Sequence, residues 1–244
     1  MRVALFVFVV TGCSGSDVPV ASDASIAVDA ATDAASGVPL AGFGQLSGMC
    51  GVLAAMDFTS ATPELIRDTF AFERAYVDPA DRPLLTMGGQ RLAEVPNAGG
   101  SSQLSEVFAF EQLARCELAT LLKTETEIVY STMGKMTDFE VSIAGHKVGV
   151  SVTRAMTYPF GGTYTLDAAN MLIARKLGDI QLSTANVSAQ DHWDKQILAI
   201  LAWDDPTAET MAQAWMSQPA NVKADTIVII SSTGGDDVFI YSNL

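Results

Sequence analysis

Three acidic residues in the middle of the chain have the types and spacing that could do chemistry together. Asp138 and Glu140 lie two residues apart in the stretch TDFEVSIAGHKVGVSVTR, and Glu111 lies upstream in a segment with helical spacing. Carboxylates that converge on one hard cation hold Mg²⁺, and such an ion activates water for hydrolysis of phosphate esters. The sequence therefore offers Asp138, Glu140 and Glu111 as a candidate metal-dependent catalytic site.

The same three acids also have an ordinary structural interpretation. Acidic residues are common on solvated faces, and a metal site needs all three carboxylates to converge. In this interpretation Glu140 is a solvated strand residue, Glu111 a charge on a helix face and Asp138 a residue at a strand start. The sequence favours this second interpretation over the enzymatic one.

The stretch that contains Asp138 alternates like a half-buried hairpin. Apolar residues occupy every second position of both strands: Phe139, Val141, Ile143, Val148, Val150 and Val152. With AGHK as the turn, we expect Asp138 opposite Thr153 and Glu140 opposite Ser151. The second strand then presents two uncharged residues on the acidic face of the hairpin, while Arg154 points to the other face.

Patterns elsewhere predict the elements that position this hairpin. We expect helices at 62–72, at 105–123, from Thr165 to Gly178, at 188–203 and from Asp205 onward. We expect further strands at TEIVYST, IQLSTANV, TIVIISS and DVFIYS. The order after residue 100 is helix, three strands, helix, strand, helices and two strands. This order predicts an α/β (α+β) fold, a mixed β-sheet flanked by helices.

The order and the hairpin together resemble the core of the restriction-endonuclease-like, or PD-(D/E)xK, superfamily, over about residues 100–232. In that family a helix with a Glu precedes three strands, of which the second contributes an Asp and the third an acid-x-Lys pair. The resemblance implies a Mg²⁺-dependent nuclease with Asp138 as the strand acid and Glu111 as the helix acid. Ser151 and Thr153 stand where the family has its acid and its Lys, so the resemblance implies a degenerate domain.

Overall charge disfavours a nucleic-acid partner. The chain has a net charge of -14, from 14 Lys and Arg against 28 Asp and Glu. A surface with this average charge repels a phosphate backbone. A protein partner is easier to reconcile with the composition.

The first residues of the chain have the pattern of an export signal. Met1-Arg2 precedes the short apolar run VALFVFVV and the small residues TGCSGS. The sequence VTGC resembles the lipobox of bacterial lipoproteins, which implies that residues 1–12 are removed and that Cys13 is acylated, for example with palmitate. This modification anchors the protein to the bilayer, and Ser14 after the Cys favours the outer membrane of a bacterial cell envelope. The alternative is a buried N-terminal strand with an ordinary Cys.

Composition divides the rest of the chain. Residues 13–38 are mostly Ser, Ala, Asp, Val and Gly without an aromatic residue, which is typical of a disordered tether. Residues 39–100 form an N-terminal extension that we expect to pack on the core. Residues 101–244 form the nuclease-like α/β core domain.

The remaining candidate ligands give no confident metal site. Cys50 and Cys116 form either a disulfide, as exported proteins often have, or two buried free thiols. His146 and His192 are far apart in sequence and show no zinc spacing, so we interpret both as surface residues.

The sequence thus predicts an exported, membrane-anchored lipoprotein with a non-catalytic binding or structural module. The alternative is an extracytoplasmic Mg²⁺-dependent phosphodiesterase that uses Asp138, Glu140 and Glu111.

Overall fold

One mixed β-sheet organises the fold, which is known from a computed structural model that describes residues 37–95, 102–235 and 237–242. The described residues belong to one compact unit, Ala35–Leu244. They contribute eight strands: β1 (Val38–Pro39), β2 (Gly44–Gly48), β3 (Glu64–Phe72), β4 (Thr120–Thr124), β5 (Phe139–Ile143), β6 (His146–Ala155), β7 (Lys195–Ala202) and β8 (Ile227–Gly235). The spatial order is β1-β2-β3-β8-β7-β6-β5-β4.

Six α-helices occur within the described ranges: α1 (Met87–Glu94), α2 (Gln103–Cys116), α3 (Leu166–Asn186), α4 (Asp205–Ser217), α5 (Ala220–Lys223) and α6 (Val238–Tyr241). Short 3-10 helices cover Arg82–Leu84 and Glu125–Glu127. Within these ranges no helix has the length and apolar character needed to cross a bilayer.

The centre of the sheet is parallel and its margins are antiparallel. Strands β3, β8, β7 and β6 run parallel to one another. The remaining pairs, β1 with β2, β2 with β3, β5 with β6 and β4 with β5, are antiparallel. Strand β7 lies between β6 and β8, and side chains on both of its faces are buried in the two apolar cores.

Two apolar cores cover the two faces of the sheet. The first contains buried residues of α1, α2 and α6, together with Ile197, Ala199 and Leu201 of β7. The second contains buried residues of α3 and α4, together with Leu198 and Ile200 of the same strand. Side chains that alternate along β7 therefore pack into two separate cores.

The predicted fold class is confirmed: the sheet is mixed and flanked by helices. From α2 to β8 the element types follow the predicted order of helix, three strands, helix, strand, helices and strand, although the first and the fourth of these strands lie on other residues than predicted. The hairpin and the strand TIVIISS correspond to β5, β6 and β8. The segment 38–95 supplies β1, β2, β3 and α1, so it adds strands to the same sheet.

The prediction of a helix over 188–203 was wrong, because this region contains β7. All eight residues of the strand are buried, and the apolar spacing of Ile197, Ile200 and Leu201 looked helical. A central parallel strand buried on both faces is apolar almost throughout, so periodicity alone does not distinguish it from a buried helix.

The helix predicted at 62–72 was also wrong, because this segment is β3. Ile66, Asp68, Phe70 and Phe72 are buried at every second position, which is the period of a strand. The strand predicted at IQLSTANV belongs instead to α3. Gly178 does not end that helix, and Ile180 and Ser183 continue its buried face.

The end of α2 was predicted too late. Leu118 adopts φ 55°, which is outside the helical region, and β4 begins at Thr120. The segment TEIVYST is not a strand, since Glu125–Glu127 is a 3-10 helix. The segment DVFIYS is not a strand either, because Val238–Tyr241 forms α6.

The hairpin has a tighter turn than AGHK implies. Only Ala144 and Gly145, both with positive φ, lie between the strands, as two-residue turns require. Glu140 consequently pairs with Gly149 and Phe139 with Val150, so the predicted pairing with Ser151 was wrong by two residues. A shift of two residues leaves every side chain on its predicted face.

Cys13, the predicted signal peptide and the predicted tether up to residue 36 lie outside the described residues.

Candidate functional site

Asp138 lies just before β5, where the hairpin backbone holds it. Its amide donates to the Val150 carbonyl at 3.0 Å, and its Oδ2 accepts a hydrogen bond from the Val152 amide at 2.6 Å. Its carboxyl group is enclosed, although part of the residue remains accessible. Asp138 and Glu106 of α2 line the same small cavity. A strand and a helix thus bring two acidic side chains to one place.

The environment of Asp138 favours its neutral form. Burial, followed by the negative charge of Glu106, raises the pKa of Asp138 to about 8. The Val152 amide and the positive charge of Lys176 on α3 act in the opposite direction. A carboxyl with this pKa is mostly protonated at neutral pH, and a hard cation would have to displace its proton before binding.

Glu106 is a site residue that the sequence analysis missed. It occupies the position near Asp138 that the sequence predicts for Glu111. The Ser102 hydroxyl donates to Glu106 Oε1 at 2.8 Å in the first turn of α2, where an acid is also expected for the helix dipole. The sequence alone does not show whether an acid in the first turn of α2 serves the helix dipole or lies beside Asp138. Only the approach of α2 to the hairpin reveals the pairing with Asp138.

Glu111 is fully buried and has hydrogen-bond partners on both oxygens. Oε1 accepts from the Thr86 amide at 2.9 Å and the Thr86 hydroxyl at 2.6 Å. Oε2 accepts from Arg115 Nε at 2.9 Å and Nη2 at 2.8 Å. The carboxylate therefore links α2 to Thr86, the N-cap of α1, and acts as a structural bridge.

Glu140 is fully buried within a group of charged side chains, so its interpretation as a solvated strand residue was wrong. Lys147 Nζ is 3.4 Å from its Oε1, and an ion pair of 2.5 Å joins Lys123 to Asp191 beside it. Burial raises the pKa of Glu140, whereas Lys147 and Lys123 lower it. Neither oxygen of Glu140 has a hydrogen-bond partner among the described residues.

The structure does not bring the three predicted catalytic acids together. Glu111 bonds to Thr86 and Arg115, Asp138 lies beside Glu106, and Glu140 lies beside Lys147. In the part of the chain that the structure describes, no group of three or more His, Cys, Asp or Glu side chains is arranged to hold a metal ion.

Strand β6 presents no charged pair to Asp138. Ser151 is buried and Thr153 is partly accessible, and both are uncharged. Arg154, on the other face, donates through Nη1 to the carbonyls of Ile240 and Tyr241 at 3.3 and 3.2 Å. Its guanidinium therefore binds the last carbonyls of α6.

Cys50 and Cys116 form a disulfide that joins the segment after β2 to the end of α2. Glu117, the next residue, accepts hydrogen bonds from the amides of Gly51 at 2.9 Å and Leu53 at 3.1 Å. A covalent bond and a buried carboxylate thus hold the same loop.

Both histidines of the chain line one cleft, together with Asp194, which their separation in sequence does not suggest. His146 Nδ1 is 3.0 Å from Asp194 Oδ2, and the imidazole stacks on Phe58 with ring centroids 5.7 Å apart. His192 is exposed. These contacts explain how His146 is oriented, and they do not make His146 and His192 a metal site.

Comparison with known proteins gives limited information on function. The chain is similar to the AAC-rich mRNA clone AAC4 protein of Dictyostelium discoideum, with 38% identity over 166 residues. The match covers 66% of this chain and 24% of the relative, so the chain spans about a quarter of that protein's length. No family model matches the chain, and no solved structure matches it significantly. The relative's name states no activity.

Proposed function

We propose that the chain is an exported lipoprotein of the bacterial cell envelope, anchored in the bilayer through acylated Cys13. Its folded part is a non-catalytic binding or structural module on a degenerate nuclease-like fold, held away from the membrane by the tether. The anchor lies in the outer membrane, and the partner is a protein or another molecule rather than nucleic acid.

One observation carries the non-catalytic part of this proposal: the three candidate acids have separate environments. Glu111 is saturated by Thr86 and Arg115, and Glu140 lies beside Lys147. Asp138 has a raised pKa. Catalysis by one Mg²⁺ ion requires carboxylates that converge, and these three acids do not converge among the described residues.

The disulfide supports the extracytoplasmic location. Disulfides persist in oxidising compartments and are rare in the cytosol of most cells. The bond between Cys50 and Cys116 is thus consistent with export. The net charge of -14 supports the exclusion of nucleic acid, because the protein repels phosphates.

A hydrolysis assay tests the non-catalytic role. We expect the purified chain to leave DNA, RNA and a generic phosphodiester unchanged with Mg²⁺ or Mn²⁺. Cleavage that Asp138→Asn abolishes and Glu73→Gln, an exposed change elsewhere, retains would overturn this role. The Asn variant keeps an oxygen for the Val152 amide, so loss of activity would not reflect loss of that hydrogen bond.

Metabolic labelling tests the anchor. We expect labelled palmitate to enter the chain in a bacterial host and to be lost from Cys13→Ser. Cys50→Ala with Cys116→Ala is the matched control, since it removes the other two cysteines and keeps Cys13. Absence of label from the unaltered chain would exclude the acylated form.

A second candidate function is a Mg²⁺-dependent phosphodiesterase centred on Asp138. The observation that favours it is the cavity that Asp138 shares with Glu106, since two acids from a helix and a strand are what this chemistry needs. In this candidate Asp138 and Glu106 would hold the ion, which would supply an activated water. The hydrolysis assay with Asp138→Asn and Glu106→Gln decides between the two functions.

A further inference from the structure

A groove with a volume of about 440 Å³ lies where α1, α2 and β4 meet. It is lined by residues 86–88 and 91 around the first turns of α1, residues 110 and 114 of α2 and residues 119–121 around the start of β4. We call it the α1–α2–β4 groove. Small-molecule sites in proteins usually have volumes of roughly 300–1,000 Å³, so this groove is large enough for a ligand.

Part of the lining is apolar and closely packed. Phe110 of α2 and Leu121 of β4 border the groove and are buried. Gly88 of α1 lies against both: a Cβ built at this position would overlap the Phe110 ring and lie 3.0 Å from Leu121 Cβ. A residue without a side chain is therefore needed for α1 to approach α2 and β4 this closely, and the base of the groove offers no polar side chain to a ligand.

Met87 adds a flexible apolar side chain to the lining. It is the first residue of α1, and 87% of its surface is exposed. Covering this side chain removes apolar surface from water, and a methionine adapts its shape to the group that covers it. Ala114 and Ala119, also in the lining, have short side chains that leave the groove open. The groove therefore suits a flexible alkyl chain.

The charge of the lining restricts the head group of such a ligand. Arg91 is the one charged side chain among the described residues that line the groove. In contrast, Asp204 and Asp205 line the cleft at the start of α4, and Asp194 and Asp225 line the cleft of the two histidines. Although the chain has a net charge of -14, the nearest charge in this groove is positive and favours an anion.

Arg91 is held in place and keeps donors for a ligand. Its Nη1 donates to the Leu122 carbonyl at 3.3 Å, and its Nη2 donates to Glu127 Oε2 at 2.5 Å. These bonds use two of the five N–H groups of a guanidinium, and 41% of the side chain is exposed. A carboxylate in the groove can therefore accept a hydrogen bond from Arg91 while both protein partners stay bound.

We propose that the α1–α2–β4 groove binds a free long-chain fatty acid. The alkyl chain lies against Phe110, Leu121 and Met87, and the carboxylate accepts hydrogen bonds from the Arg91 guanidinium. The inference rests on the binding role proposed above and gives that role a ligand class.

Titration with ligands that share one alkyl chain tests the proposal. The full chain carrying Cys13→Ser, which removes the acyl group proposed for that residue, is mixed with dodecanoate, 1-dodecanol or dodecyltrimethylammonium below their micelle-forming concentrations. Calorimetry measures binding at neutral pH in about 0.15 M salt, which screens long-range repulsion. We expect dodecanoate to bind most tightly and the cation most weakly. Octanoate, which has a shorter chain, should bind at least about tenfold more weakly than dodecanoate.

Tryptophan substitutions in the lining locate the site. Ala114→Trp and the exposed Thr120→Trp place a large ring in the groove, and each should weaken dodecanoate binding about tenfold or more. Ala174→Trp is the matched control, because Ala174 is exposed on α3, which packs in the second core. This control should bind like the parent. Circular dichroism checks that every variant is folded.

A pair of charge variants separates ligand binding from the ion pair. Arg91→Gln removes the cation and should weaken dodecanoate binding about fivefold, with little effect on 1-dodecanol. Glu127→Gln breaks the same ion pair but keeps Arg91, so this variant should bind dodecanoate at least as tightly as the parent. Equal weakening by both variants would contradict a direct contact between Arg91 and the carboxylate.

Four further results would overturn the fatty-acid assignment. These are no binding of dodecanoate at submillimolar concentration, binding of the alcohol or the cation as tight as that of dodecanoate, full binding by both lining variants, or binding of the chain to phosphatidylglycerol vesicles in place of the free acid. The acylation and hydrolysis experiments do not involve this groove, so failure here is distinguishable from failure of the anchored, non-catalytic role.

Discussion

At the scale of single residues, three buried acids show how environment assigns a role to a carboxyl group. Glu111 is saturated by an amide, a hydroxyl and a guanidinium. Glu117 binds two backbone amides of one loop. Asp138 has one amide partner and a neighbouring negative charge. Burial raises the pKa of both Glu117 and Asp138, and for Asp138 the pKa reaches about 8, so we expect Asp138 to contribute a pH dependence of stability near neutrality.

The first prediction concerns that pH dependence. Native Asp138 keeps its proton up to pH about 8, whereas an unfolded Asp loses it near pH ~4. Because the native state binds more protons between these values, its stability falls as pH rises through this window. In Asp138→Asn this contribution is absent. We expect urea unfolding at several pH values to give a flatter profile for the variant, and parallel profiles would contradict the raised pKa.

The second prediction concerns Glu117. Glu117→Ala removes the acceptor of the Gly51 and Leu53 amides and should lower the free energy of unfolding by about 1–3 kcal/mol. Glu117→Gln keeps one carbonyl oxygen and should lose less. The exposed Glu73→Ala should change stability by less than about 0.5 kcal/mol. Equal effects of Ala at both positions would show that the two amide hydrogen bonds contribute little.

Residue types alone predicted part of the candidate site. The position of Asp138 at the strand start followed from the alternation around Phe139, whereas the predicted pairing of Glu140 with Ser151 was wrong by two residues. The pairing of Asp138 with Glu106 was not predictable, because it depends on how α2 crosses the hairpin. The choice of Glu111 followed helical spacing, which says nothing about Thr86 on another helix.

At the scale of elements, polar residues at every second position decided which strands could be predicted from the sequence. Strands β5 and β6 alternate because one side of each is polar. Strand β7 is buried on both sides and lost that alternation. The start of α3 was predicted at Thr165, which is its N-cap, and the Thr165 hydroxyl accepts from the Ala168 amide at 3.2 Å. The end of α3 was missed because Gly178, usually a stop signal, lies within it.

The third prediction concerns the disulfide, which joins α2 to the segment after β2. The cysteines are 66 residues apart in sequence, and closing a loop of that length should stabilise the fold by about 4 kcal/mol. We expect dithiothreitol to lower the melting temperature of the parent chain. The variant with Cys50→Ala and Cys116→Ala should have a melting temperature near that of the reduced parent chain, with or without dithiothreitol. A parent chain insensitive to reduction would contradict this role.

At the scale of the whole molecule, the charge balance is the dominant physical property. Acids outnumber bases 28 to 14, so the folded state carries self-repulsion that salt can screen. We expect added NaCl at neutral pH to raise the melting temperature. Near the isoelectric point of about 4.3 the same addition should have little effect. A salt effect of equal size at both pH values would indicate ion-specific binding instead.

Strands β3 and β8 are neighbours in the centre of the sheet, yet most of the chain lies between them in sequence. During synthesis β3 therefore has no parallel partner until β8 has emerged from the ribosome, and the central sheet closes late. Long-range pairing of this kind is slow to form. Until β8 arrives, the edge of β3 that it will cover has unpaired backbone groups, and an exposed strand edge of this kind is prone to pair with other chains.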